Sequence, residues 1–299
     1  MGDPMQDVIG VIGLGNAGGA VAGALAKSVE VVGHDPSNER SSAAASHGVD
    51  CVASPQAVAE RTSRLILSLP RPEISIGVVE TLMGNATPLE LIIETSTVTP
   101  GTAVACYECC KAKGTAYVDA AIAGGVASMA AGQVTFFLGG DKAAKAMARP
   151  ILDLVADGVY DLGPVGAGMG AKVVNNGVMH ALMVVLIEAF AMSNRLGMPS
   201  QTMIDILKRE EGLLRPLLHR VQERMQGADY SGGMSVTNAR KDSILALETA
   251  QQLGVPLFAT LAAHTPYEIA EAGGLGDLDY ASLATLWEQW SGVEFKTGG

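Results

Sequence analysis

The sequence predicts an α/β protein, with an N-terminal doubly wound sheet domain over residues 1–163 and an all-α C-terminal domain over residues 164–299. Three observations predict it. Short apolar runs alternate with helical stretches up to about Gly163, strand signals stop after Gly163-Pro164, and a strand, a glycine loop and a helix open the chain. Strands apolar on both faces and spaced by helices belong to a mostly parallel sheet covered on both sides.

The elements follow in order. "DVIGVI" reads as a strand and Ala17 to Lys27 as a helix. "VEVVGHD" is a second strand, with helix and short strand signals to about Cys51. "RLILSLP" and "LIIETS" are buried strands separated by a helical segment from about Pro72. A helix through Lys113, the strands "TAYVDAAIAGG" and "QVTFFLGG", a helix from about Asp141 and the strand "GVYDLG" complete the domain. From Gly166 the chain reads as helices broken at "GMPS", "GADYSGG", "LGVP" and "GGLGDLD". The apolar stretch Val178 to Met192 contains His180 and Glu188 and is shorter than a membrane-spanning helix requires, which predicts a buried core helix. His180, Met179 and Met183 are expected in that core.

Hydrophobic residues make up 48% of the 299 and charged residues 17%, the balance of a compact globular chain rather than a disordered one. A net charge of -11 argues against nucleic acid or an anionic membrane as partner. It leaves an anionic substrate open, because a local pocket can oppose the global field. "MGDPMQDVIG" lacks the basic and apolar blocks of a secretory signal, so a cytoplasmic location is expected. The cysteines stand at 51, 106, 109 and 110. Cys106-x-x-Cys109 has no nearby histidine or second cysteine pair, so no metal is expected and the thiols are read as inert.

The opening loop carries Gly13-x-Gly15-x-x-Gly18 between strand and helix. In a Rossmann-type unit the first glycine makes the tight turn, the second lets a pyrophosphate approach the backbone, and the third packs helix against strand. Leu14, Asn16 and Ala17 complete the predicted cofactor loop. Asp35 ends the second strand 22 residues after Gly13, with Pro36 next. A carboxylate there accepts from the adenosine ribose and repels a 2'-phosphate, so NAD is expected in preference to NADP. Leu69 and Pro70, closing "RLILSLP", are counted with the cofactor-binding residues.

Five segments in order resemble the β-hydroxyacid dehydrogenases, the 3-hydroxyisobutyrate dehydrogenase-like family with its 6-phosphogluconate dehydrogenase-like C-terminal domain: "GLGNAGGAVAGAL", "ETSTVTP", "DAAIAGG", "GAGMGAKVVNN" and "ARKDSILALETA". The resemblance implies that Lys172 is catalytic and that Asn176 holds substrate. It places Gly124 and Gly125 at the substrate's acid group, Ser96 and Thr97 beside the nicotinamide, and Lys241 at the edge of the cofactor. It further implies a homodimer or homotetramer. The chain departs from the pattern where the family has a serine, here Ala123, and a proline, here Ala121. NADP-using relatives carry Asn and Arg where this chain has Asp35 and Pro36.

Helical geometry gives these residues a chemistry. Positions 172 and 176 lie one turn apart on one face, flanked by Asn175. Lys172 can then face a reacting oxygen while the amides hold the same group. A lysine near its ordinary pKa of ~10.4 is a poor base at neutral pH, and burial or a neighbouring cation lowers it. Arg71, Arg215 and Arg240 are each expected to be solvated. The expected activity is NAD-dependent oxidation of a small β-hydroxy acid. The rival readings are reduction of an aldehyde acid or imine, and a non-catalytic dinucleotide sensor.

Overall fold

The computed structural model describes residues 8–85, 89–209 and 212–296; the segment read for signal blocks lies outside them as far as Asp7. The sheet unit runs β1 (Val8–Ile12), α1 (Asn16–Leu25), β2 (Glu30–His34), α2 (Asn38–Ala45), β3 (Asp50–Cys51), α3 (Pro55–Ala59), β4 (Arg64–Leu67) and α4 (Pro72–Gly84). It continues with β5 (Leu91–Glu94), α5 (Pro100–Lys111), β6 (Ala116–Ala123), α6 (Val126–Ala130), β7 (Val134–Gly140), α7 (Lys142–Leu152) and β8 (Ala156–Asp161). Every predicted strand is present. The helices α3 and α6 are not among the predicted elements: each has five residues, too few to show a helical period.

These strands form one sheet in the order β3-β2-β1-β4-β5-β6-β7-β8. Neighbours are parallel except β6 and β7, which are antiparallel. The chain reverses direction of growth between β1 and β4, the switch point where open α/β sheets bind ligands outside the strands' carboxyl ends. Alternation fills both faces. Val11 and Ile93 join the core with Leu25 of α1, while Ile12 and Ile92 face Val79 of α4 and Ala103 of α5. Polar caps start two of the helices on that second face, with Ser54 Oγ accepting from Ala57 N–H and Thr99 Oγ1 from Thr102 N–H, each followed by proline.

Helix α8 spans Ala167–Arg195. By packing, the chain divides into two compact units, Met1–Gly177 and Val178–Gly299, so the division falls inside this helix. Strand signals end near Gly163, but Asp119 keeps the first turns of α8 with the sheet. Its carboxylate, fully buried on β6, accepts from Gly166 N–H at 2.8 Å and Met169 N–H at 2.9 Å.

The expectation that Val178 to Met192 is a buried core helix is not met. Val178, Met179, Met183 and Ile187 are 48–56% exposed, and His180 is exposed as well. With 29 residues and a mean hydropathy of 1.6, α8 is long and apolar enough to cross a membrane, yet only 6% of its most apolar window is buried. The sequence reading assumed that apolar meant covered within the chain. Glu188, in contrast, is buried, because it caps the helix that begins at Phe258: it accepts from Ala259 N–H at 2.7 Å and from Thr260 N–H and Oγ1.

The second unit continues with α9 (Ser200–Leu207), a π-helical segment (Pro216–Met225), α10 (Val236–Leu253), α11 (Phe258–Ala272), a 3-10 turn (Tyr280–Leu283) and α12 (Ala284–Ser291). All four predicted breaks fall between these helices. Its buried cluster is small, Val236, Ala270 and Leu286, with Tyr267 and Tyr280 packed against it.

Candidate active site

At the switch point the glycine loop borders a cavity of about 460 Å³. Gly13, Gly15, Asn16, Ala17, Gly18, Asp35, Pro36, Leu69 and Pro70 line it, so the structure brings together nine of the predicted cofactor residues. Leu14 takes another part: its side chain is in the core and its N–H donates to Asp35 Oδ2 at 2.9 Å. Asp35 Oδ1 accepts from Ser37 N–H at 2.9 Å, so the carboxylate is fixed at both oxygens and 7% exposed. Each oxygen keeps a second lone pair for a ribose hydroxyl.

The glycines differ in what demands them. Gly13 has φ of 94°, where a side chain is strained, and a Cβ would also strike the Ser68 carbonyl. At Gly18 a Cβ would collide with the Gly13 carbonyl. Around Gly15 the protein leaves room, the nearest atom to a Cβ being Arg40 Nη1 at 3.8 Å. Gly15 caps α1 without a side-chain hydrogen bond. An open approach to bare backbone at a helix N-terminus is what a pyrophosphate requires, so these residues fit a dinucleotide.

Sequence reasoning missed Arg40. Its guanidinium is 3.7 Å from Asp35 and lines the same cavity. The signal was Ser37, whose N-cap turns the first residues of α2 back over the end of β2. His34 also lines the cavity, with Nδ1 at 3.0 Å from Val52 O.

Ser96 is buried beneath this wall and Thr97 is exposed. Ser96 Oγ accepts from Leu69 N–H at 2.7 Å, tying the segment after β5 to the segment after β4. The start of α8 adjoins the same segment: a Cβ on Gly170 would stand 3.8 Å from Pro100 Cγ. Two residues on, Lys172 is half-buried, and it has no ion pair among the described residues. Burial holds its ammonium below the ordinary lysine range. Asn175 and Asn176 are half-buried beside it, with Asn175 Nδ2 donating to Asn176 Oδ1 at 3.4 Å.

Ala123 ends β6 half-buried, and Gly124 and Gly125 follow exposed, Gly125 capping α6. Lys241 lies on α10 in the other unit, 62% exposed and 3.0 Å from Asp242, so its assignment comes from the resemblance alone. Arg240 pairs with Glu268 at 2.9 Å. The four cysteines are free thiols, and burial pushes Cys106 up to about 12, the condition of an unreactive thiol.

Two family models match the chain. The NAD binding domain of 6-phosphogluconate dehydrogenase matches residues 8–184, and the NAD-binding domain of NADP-dependent 3-hydroxyisobutyrate dehydrogenase matches residues 166–287. The chain is 30% identical to 2-(hydroxymethyl)glutarate dehydrogenase of Eubacterium barkeri, over 97% of this chain and 98% of that protein. A Mycobacterium tuberculosis 3-hydroxyisobutyrate dehydrogenase solved with L-serine superposes with a TM-score of 0.65 at 28% identity, covering 94% of this chain and 99% of that one. An imine reductase from Pseudomonas sp. superposes at 0.86 with 20% identity, over 94% and 99%, a likeness of fold.

Proposed function

Because the chain belongs to the β-hydroxyacid dehydrogenase family, NAD-dependent oxidoreductases acting on a CH–OH group, we propose that it oxidises a small β-hydroxy acid with Lys172 as the general base. The observation that carries this reading is a half-buried lysine with no ion pair among the described residues, two residues beyond Gly170, where α8 meets Pro100 of the segment that follows Ser96. Bound NAD supplies the hydride acceptor. Lys172 takes the hydroxyl proton as the carbinol becomes a carbonyl, and returns it in the reverse direction. Asn175 and Asn176 orient the reacting oxygen. Gly124 and Gly125 offer backbone N–H groups to the acid group. We assign residues 1–163 to the cofactor and 164–299 to completing the substrate site and to self-association, in a cytoplasmic homodimer or homotetramer. The exposed apolar residues of α8 support self-association, since faces of that kind mark interaction sites.

NADH formation across a panel of 3-hydroxyisobutyrate, 2-(hydroxymethyl)glutarate, glycerate, serine, threonate, phenylserine and hydroxysulfonates tests the reading. No turnover of any hydroxy acid would overturn it. Within the panel, Ala123 points away from 3-hydroxyisobutyrate itself. A serine hydroxyl there would add a hydrogen bond to a charged group, ~1.5–3 kcal/mol or roughly one to two decades in kcat/KM. Ala123→Ser should therefore raise kcat/KM for 3-hydroxyisobutyrate and lower it for the best substrate. If 3-hydroxyisobutyrate is already best and the serine changes nothing, Ala123 does not set specificity.

NAD should exceed NADP in kcat/KM by at least roughly tenfold, the effect of a fixed carboxylate facing a 2'-phosphate. Arg40 opposes this and loses. Its side chain is 57% exposed and flexible, whereas Asp35 is buried and held at both oxygens. Equal efficiency with the two cofactors would show that Arg40 wins.

A further inference from the structure

The proposed reaction leaves the buried acid Glu94 unused. Glu94 ends β5 with no exposed surface. Its Oε1 accepts from Ser96 N–H at 2.9 Å, while its Oε2 has no hydrogen-bond partner among the described residues. Ser96 in turn holds Leu69 N–H, and Leu69 forms part of the cofactor cavity wall. Ser75 of α4 stands behind the pair, its hydroxyl 3.5 Å from Ser96 Oγ. Thus a continuous line of short contacts runs from the core carboxyl through one serine to the cavity.

We propose that Glu94 is a positioning residue for NAD: its carboxylate fixes Ser96, Ser96 fixes Leu69, and a proton taken up at Glu94 loosens the cofactor wall. The surroundings explain why such a proton is taken up. From β6, Asp119 and Tyr117 face the carboxyl, from α5 Cys106 and Cys110, and from α4 Ser75. These are acids, thiols and hydroxyls, with no cation among them. Burial is the largest influence and Asp119 adds to it, outweighing the serine hydrogen bonds, so Glu94 is pushed up to about 7. Above that pH it is a carboxylate with a charge-assisted bond to Ser96 N–H. Below it, the neutral acid accepts the same bond more weakly.

The test is the NAD dissociation constant, measured by titration without substrate on full-length wild type, Glu94→Gln and Ser96→Ala. Glutamine keeps the shape and the acceptor but cannot titrate. At pH 8.5 Glu94→Gln should bind NAD roughly fivefold more weakly than wild type, the difference between a charge-assisted and a neutral hydrogen bond, and at pH 6 the two should bind alike. Ser96→Ala breaks the line further on and should be weaker at both values. Taking the ratio of variant to wild type cancels any contribution from His34, an ionisable group on the same cavity. A Glu94→Gln ratio that does not change with pH overturns the proposal. The proposal rests on the Gly15 cavity being the NAD site, and Gly15→Val separates the two. If Gly15→Val binds NAD normally, the site assignment falls and the relay with it. If Gly15→Val does not bind and the ratio stays flat, only the relay falls.

Discussion

Lys172→Ala should lower kcat by ~10²–10⁴, the usual cost of losing a positioned acid–base group, while NAD affinity stays near wild type. Burial holds the Lys172 ammonium below the ordinary lysine range, so more of it is neutral at a given pH than for a solvated lysine. Oxidation needs that neutral form. The oxidation rate should therefore rise with pH through the lowered lysine value, and the reverse reduction should fall over the same window. Lys172→Arg discriminates a proton acceptor from a mere positive charge. Arginine keeps the charge but does not deprotonate, so it should be nearly as impaired as alanine. Near-normal turnover of either variant at saturating substrate would mean that Lys172 is not the base.

Asp119→Ala should cost about 3 kcal/mol of stability and lower kcat by at least roughly tenfold. The carboxylate satisfies two N–H groups at the start of α8, those of Gly166 and Met169, from a strand about fifty residues earlier in the chain. Such orphan donors at a helix N-terminus are normally capped by a neighbour in sequence. Here the buried acid does the capping, and its removal leaves both amides unpaired at ~1–3 kcal/mol each. Burial pushes the Asp119 carboxyl above its usual range, so deleting the charge returns part of that loss. The unpaired amides win because there are two of them. The activity follows because Lys172, the proposed base, sits one turn beyond Met169, and small displacements of a positioned acid–base group are expensive. Urea unfolding and kcat at saturation check both effects. Wild-type values for both would show that the cap is dispensable.

Local patterns were legible in the sequence and distant contacts were not. The strands announced themselves because parallel strands are apolar on both faces, and the glycine loop because its spacing follows from a single turn. Lys172, Asn175 and Asn176 stood out because polar residues head an apolar helix. Asp119 gave no comparable signal. It appears as the first letter of "DAAIAGG", and its partners lie 47 and 50 residues away. Glu94 was hidden in the same way, since an acid at a strand end reads as solvated until the fold encloses it. The exposed side of α8 failed for the opposite reason: hydropathy reports a preference for cover without saying which chain provides it.

The three loop glycines also bear on how a protein of this kind can change its trade. Two of them answer to the chain itself, since a side chain at Gly13 or Gly18 meets backbone atoms that cannot yield. Gly15 is under no such constraint from the chain, and under the proposed function it answers to the nucleotide. Around Gly15 there is room for a methyl group, so a small side chain there meets no clash within the fold. A lineage freed from dinucleotide binding could thus abandon Gly15 first and keep its architecture intact. If the loop holds NAD as proposed, Gly15→Ala should fold as wild type does and bind NAD more weakly.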